Sequence, residues 1–196
     1  VDNIRTSLVT GASSGIGAAL AQALAGPGAT LHLSGRDQVR LDAVAARCRD
    51  RGASVESKVL DVRQTAAMAD WTRAAGQLDF VIANAGISGR SPNGGPENAA
   101  QTWAIFDVNL TGVLNTVLPA MEVMAQQPPG ADGIRGRIVA IASIAAFLAA
   151  PDSPAYCASK AAVDHWMVAT APAARRNGIV LTSVCPGFIS TAMTAG

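Results

Sequence analysis

Thr6-Ser7-Leu8-Val9-Thr10-Gly11-Ala12-Ser13-Ser14-Gly15-Ile16-Gly17 is a short apolar run that ends in three glycines and opens into an Ala- and Leu-rich segment, residues 18–24. The apolar run reads as a β-strand and the segment after the glycines as a helix, so the glycines sit where a strand turns into a helix N-terminus. Such a turn suits an anion. Residues without Cβ let backbone come close to a pyrophosphate, and free N–H groups with the positive end of the helix dipole stabilise its charge. The spacing is Gly-x-x-x-Gly-x-Gly rather than Gly-x-Gly-x-x-Gly, and alone it leaves an ordinary Gly-rich turn about one chance in three. Its weight comes from the remainder of the chain.

Outward from this turn, short β-prone runs alternate with longer helical stretches. Residues 6–10, 30–34, 54–60, 80–83, 137–142 and 179–184 read as strands, with helices in the intervals. The strands read as short continuous apolar runs rather than alternating ones, as expected for a parallel sheet covered on both faces. The pattern predicts a Rossmann-like, doubly wound α/β/α sandwich with strand order 3-2-1-4-5-6 and a ligand at the switch point between strands 1 and 4. Two stretches rich in Gly, Pro and Asn, residues 88–98 and 128–136, read as surface loops flanking a long helix over 103–126. No repeat or dividing linker interrupts the chain, so residues 1–196 read as one nucleotide-binding domain.

Composition narrows the partners. Of 196 residues, 49% are hydrophobic and 15% charged, with a net charge of +1 and both signs intermixed. That excludes a basic nucleic-acid stripe. The apolar stretch 138–150 is interrupted by Ser143 and stopped by Pro151, short of the ~20 residues a membrane span needs, so no membrane is expected as a partner. Cys48, Cys157 and Cys185 are odd in number and far apart, which argues against disulfides or a zinc site and for buried thiols in a reducing compartment. Residues 1–6 show no export pattern, so cytoplasm is the expected location. His32 and His165 have no ligand-spaced partners, and no metal is expected.

Tyr156-Cys157-Ala158-Ser159-Lys160 puts a phenol and an ammonium one helical turn apart. A phenol is too weak an acid to exchange protons readily at neutral pH, and a neighbouring cation favours its phenolate form. Proton transfer to or from a bound substrate then becomes feasible. In isolation such a pair is more often packing plus a surface charge.

Together, the Thr10-Gly11-x-x-x-Gly15-Ile16-Gly17 turn and the Tyr156-x-x-x-Lys160 pair resemble the short-chain dehydrogenase/reductase family. Ordered matches run from residue 10 to residue 191. The resemblance implies that Gly11, Ser13, Ser14, Gly15, Ile16 and Gly17 hold the cofactor pyrophosphate and that Asp61-Val62 meets the adenine. Asn84-Ala85-Gly86 matches most of the family's Asn-Asn-Ala-Gly element, with Ala83 replacing the first Asn. Ser143, 13 residues before Tyr156 at a strand end, corresponds to the serine that holds the substrate oxygen, where a hydroxyl can stabilise developing negative charge. Asn109, in Val108-Asn109-Leu110-Thr111-Gly112, is implied to hold a water relaying protons from Lys160. Lys160 and Tyr156 are also implied to bind the nicotinamide ribose. Pro186-Gly187-Phe188-Ile189-Ser190-Thr191 resembles the segment that covers the nicotinamide, which implies that the Ile189 backbone meets the carboxamide and the Thr191 hydroxyl the carboxamide or the pyrophosphate.

The residue about 18 positions past the last glycine separates NAD from NADP, because an acidic side chain there accepts from both ribose hydroxyls. Here it is Gly35, followed by Arg36, whose guanidinium suits a 2′-phosphate. NADP(H) is the preferred cofactor on this reading, with Asp37 serving a ribose as the alternative. The expected activity is hydride transfer between NADP(H) and a carbonyl or secondary alcohol, with Tyr156 as general acid/base. Ile144, Phe147, Leu148, Phe188 and Met193 are candidate pocket residues and favour a hydrophobic substrate. The resemblance further implies a homodimer or homotetramer, and places a substrate-covering segment and a seventh strand beyond Gly196. Two other readings are a redox sensor that binds NADP without turnover and an extended-type dehydratase or epimerase. The first has no use for all of Asn109, Ser143, Tyr156 and Lys160. The second goes with a Gly-x-x-Gly-x-x-Gly turn that this chain does not spell.

Overall fold

Neighbouring residues Leu8 and Val9 are both wholly inaccessible, yet they belong to two different cores. This is the period-2 signature of a strand buried on both faces. The computed structural model describes residues 4–88 and 97–190. Six strands, β1 (Thr6–Val9), β2 (Thr30–Gly35), β3 (Ser54–Val59), β4 (Phe80–Ala83), β5 (Gly136–Ile141) and β6 (Ile179–Val184), form one sheet in the order β3-β2-β1-β4-β5-β6. All five pairings are parallel. The expected order therefore holds, and the strand sequence reverses between β1 and β4.

Helices α1 (Gly15–Leu24) and α2 (Gln38–Asp50) bury Ala18, Ala21, Leu41, Val44 and Cys48 against Val9, Leu31, Leu33 and Ile82. On the opposite face α3 (Thr65–Ala74), α5 (Gly112–Gln126) and α6 (Pro154–Arg176) pack Met68, Val117, Met124, Val163 and Met167 against Leu8, Val81 and Ile138. The result is the three-layer α/β/α arrangement read from the sequence. β3 differs from the expectation of strands covered on both faces: it is an edge strand, exposed at Ser54, Glu56, Lys58 and Val59, and its charges suit an edge that must not pair further. Cys48 and Cys157 are buried, while Cys185 is half-buried.

The long helix predicted over 103–126 is longer and not regular. It begins as α4 (Ala99–Phe106), widens into a π turn at Asp107–Thr111, and continues as α5. Asn98 and Gln101 form a reciprocal capping box at its start. The span Ala99–Gln126 is long and apolar enough to cross a membrane by length and composition, a feature the shorter apolar stretch 138–150 does not share. In the fold 56% of its apolar window is buried, so that apolarity serves the core.

Candidate active site

The glycine turn is fixed from two sides. Gly11 and Gly15 take φ of +65° and +54°, a region other residues enter at a cost. Asn84, just past β4, donates from Nδ2 to the carbonyls of Thr10 at 3.0 Å and Gly11 at 3.2 Å. The Thr10 hydroxyl in turn accepts from the backbone N–H of Asn84 at 3.1 Å and of Ala85 at 3.3 Å. Gly17 acts by close approach: a Cβ there would lie 2.4 Å from the Gly11 carbonyl oxygen and 2.5 Å from Asn84 Nδ2. Gly17→Ala is accordingly expected to destabilise the fold by about 1–3 kcal/mol, the usual range for overpacking, and to weaken cofactor binding. Chemical denaturation with and without cofactor checks both effects.

Above this turn a cleft of about 510 Å³ opens at the carboxyl ends of the strands, on both sides of the β1/β4 reversal. Gly11, Ser13, Ser14, Gly15 and Ile16 line its floor. Arg36, Asp37 and Arg40 line the end beyond β2, Asp61 and Val62 the wall beyond β3, and Asn84, Ala85 and Gly86 the wall beyond β4. Pro186, Gly187 and Ile189, after β6, close the far side. Gly17 and Asn109 do not line the cleft and support it from behind. Thr191 and Met193 lie outside the described residues.

Charge at the β2 end is already arranged. Asp37 is the N-cap of α2, accepting from the Arg40 backbone N–H at 2.9 Å and from Arg40 Nε at 2.8 Å. Those bonds hold its carboxyl below the usual range, the backbone N–H being the largest cause. Asp61 is gripped by Arg63, whose Nε and Nη2 donate to its two oxygens, the latter at 2.7 Å. Its carboxyl too is held low, chiefly by that side-chain bonding.

At the other end of the cleft stand Ser143, Tyr156 and Lys160. Ser143 follows β5 and its Oγ accepts from the Ala145 N–H at 3.1 Å, capping the short 3-10 turn Ile144–Phe147. The Ile144 N–H donates to the Pro186 carbonyl at 3.0 Å, tying this turn to the segment after β6. Lys160 is 4% exposed and its Nζ donates to the Ile141 carbonyl at 2.7 Å. Nζ also lies 5.9 Å from the centroid of the Tyr156 ring. Burial pushes the ammonium from its ordinary 10.5 down to about 8, opposed weakly by Cys185.

Asn109 sits in the π turn, wholly buried. Its Oδ1 accepts from the Ile87 N–H at 2.8 Å, and its Nδ2 donates to the Ile87 carbonyl at 3.0 Å and to Ser159 Oγ at 3.2 Å. The amide therefore bolts the segment following β4 to α6, one residue from Lys160.

Several participants carry little or no signal in the sequence. Arg40, Leu60, Ile87, Val108, Ile141 and Ala142 also line the cleft, and Thr10 clamps the turn through its hydroxyl. Arg40 has a local signal, since it stands three residues past Asp37, the spacing at which an N-cap carboxylate meets a helix N–H. Glu97 has none: it reaches α6 across 58 residues of sequence. The expected pocket residues Ile144, Phe147, Leu148 and Phe188 are not in the cleft but exposed at its rim, Phe188 to 94%.

With this geometry in place, residues 5–196 match the short chain dehydrogenase model. The chain is 36% identical over 200 residues to an uncharacterized oxidoreductase of Myxococcus xanthus, covering 97% of this chain and 74% of that one. The structure of 3-oxoacyl-[acyl-carrier protein] reductase from Brucella melitensis in complex with NAD matches with a TM-score of 0.87 and 27% identity, over 98% of this chain and 77% of that one. A variant of actinorhodin polyketide ketoreductase with NADPH matches with a TM-score of 0.86 and 28% identity, over 100% and 74% of the two chains. This chain belongs to the short-chain dehydrogenase/reductase family. It is an oxidoreductase of the class that binds NAD(P) and acts on alcohol or ketone groups.

Proposed function

We propose that the chain catalyses NADP(H)-dependent interconversion of a carbonyl and a secondary alcohol, with Tyr156 as general acid/base. The observation that carries this reading is the convergence of Tyr156, Ser143 and the buried Lys160 at one end of the cleft whose other end is the glycine turn. The residues suit a dinucleotide: Gly11, Gly15 and Gly86, all without a side chain, line the cleft and leave its backbone open to close approach. When bound, the cofactor supplies or accepts the hydride.

This chain's own groups do the rest. Ser143 Oγ orients the substrate oxygen and stabilises charge as it develops there. Tyr156 gives that oxygen its proton in reduction and removes it in oxidation. Lys160, charged below about pH 8, favours the phenolate left behind. A rim of Ile144, Phe147, Leu148 and Phe188 favours a hydrophobic substrate. The exposed Trp103, Leu118 and Val168, on α4, α5 and α6, support assembly of copies through these helices.

Preference for NADP(H) rests on two neighbours. Asp37 is engaged as a helix cap, which leaves it a poor ribose acceptor, and Arg36 lines the same end of the cleft. A guanidinium bonded to a 2′-phosphate contributes about 1.5–3 kcal/mol. Arg36→Ala is thus expected to raise KM for NADPH about 10- to 100-fold and to leave KM for NADH nearly unchanged. Initial rates with both cofactors decide it, and equal effects on the two would remove the argument.

The test of the reaction itself is absorbance-monitored consumption of NADPH across hydrophobic ketones, aldehydes and β-keto thioesters. Turnover is the expected result. NADPH bound without turnover on any of them would instead support a binding protein.

A further inference from the structure

The helix that carries Tyr156 begins badly by its own sequence. Its N-cap residue, Ser153, makes no side-chain cap, and Pro154 at the first helical position has no N–H to offer. The Cys157 N–H is taken by the Ser153 carbonyl. Two orphan donors remain, the backbone N–H groups of Ala155 and of Tyr156 itself. Both are met from outside the helix. Glu97 Oε2 accepts from the Ala155 N–H at 2.6 Å, and Glu97 Oε1 accepts from the Tyr156 N–H at 3.2 Å.

Glu97 is half-buried and stands immediately before Asn98, the N-cap of α4. One dipeptide therefore organises two helix starts: Asn98 that of the helix leading to Asn109, and Glu97 that of the helix bearing Tyr156 and Lys160. A carboxylate across the first two free N–H groups of a helix forms charge-assisted bonds and complements the dipole. It also fixes the backbone from which the phenol projects.

We propose that Glu97 is a positioning residue for Tyr156, holding the phenol's backbone in place and setting the electrostatic environment at the start of α6. Glu97 touches neither cofactor nor substrate in this role. Its effect on turnover rests on the reaction proposed above, but its effect on the phenol does not.

Tyr156 is the chain's sole tyrosine, so the alkaline ultraviolet transition of phenol to phenolate reports this one side chain. Removing the carboxylate charge while leaving the helix dipole in place favours phenolate. Glu97→Gln and Glu97→Ala should therefore both move that transition to lower pH. Glu97→Ala should also lower kcat about tenfold or more through loss of alignment, with NADPH affinity held within about twofold and partial rescue of kcat in Glu97→Gln, which keeps one acceptor oxygen. Glu97→Gln, isosteric, keeps the test alive if the alanine variant folds poorly, and circular dichroism verifies both. A transition unmoved in both folded variants overturns the proposal, even if wild type turns over none of the substrates tried. If the transition shifts and wild type is inactive, the reaction assigned to the site fails while this positioning role stands. Unchanged kcat in Glu97→Ala beside an active wild type overturns the alignment role.

Discussion

Tyr156→Phe is expected to lower kcat by about 10²–10⁴-fold, the range for a lost general acid/base, while NADPH affinity stays within about twofold of wild type. The substitution deletes a single oxygen. The ring that lies 5.9 Å from Lys160 Nζ remains, as do the backbone bonds to Glu97, so the cleft keeps its shape. What disappears is the only proton at this end of the cleft that sits on a phenol, since the chain has no other tyrosine to substitute for it. Cofactor binding by fluorescence and steady-state rates separate the two quantities. Wild-type-like kcat in this variant would refute Tyr156 as the proton donor.

Lys160→Met is expected to behave differently, losing turnover by about 10²-fold or more together with weaker NADPH binding, because the ammonium lines the cleft and, in the reaction proposed above, favours the phenolate. The wild-type pH profile bears on the same group. With its ammonium held at about 8, the free enzyme's kcat/KM should fall as pH rises through that value, where the charge is lost. Stability runs the other way. The unfolded chain keeps this proton up to about 10.5, so the native state gains on the unfolded one as pH climbs from about 8 to 10.5, and that gain is lost as pH falls back through 8. At neutral pH the buried charge costs the fold about 3 kcal/mol. Methionine removes that cost but leaves the Ile141 carbonyl without its donor, a penalty of about 1–3 kcal/mol. A melting temperature equal to or above wild type is thus expected of an inactive variant, and calorimetry at pH 7 tests it. A clear fall in melting temperature would show that Lys160 stabilises the fold.

Much of the architecture is legible in the sequence because its causes are local. The apolar run at residues 80–83 reads as a buried strand and is one, the run at 179–184 reads as a strand and forms the second edge, exposed at Thr182 and Val184, and the glycines of residues 11–17 mark a turn. The edge character of β3 is legible too, in Glu56 and Lys58, although its β-prone run passes for one more covered strand. What the sequence hides depends on partners far away. The π turn at Asn109 is invisible to a periodicity argument, because it adds one residue to a helix whose apolar pattern continues on both sides. Asn84 and Thr10 find each other across 74 residues, and Gln127 ties Leu78 to Arg135 through its amide. No spacing rule announces such pairs. Ile144 and Phe147, next to Ser143, sit in the exposed 3-10 turn and do not line the cleft, so adjacency in sequence to Ser143 does not by itself place a side chain there.

The reversal between β1 and β4 has a consequence for how the molecule comes into being. The turn that starts at Gly11 is completed by Asn84, and the opposite end of the cleft draws on residues from Ser143 to Ile189, so bringing the whole cleft together closes long loops of chain. Closing such loops is slow and gains little until many of them close together. A half-made sheet therefore has helices and strands but nothing that grips a dinucleotide. The ligand then acts only on the finished molecule, drawing the population toward it by mass action without guiding its formation.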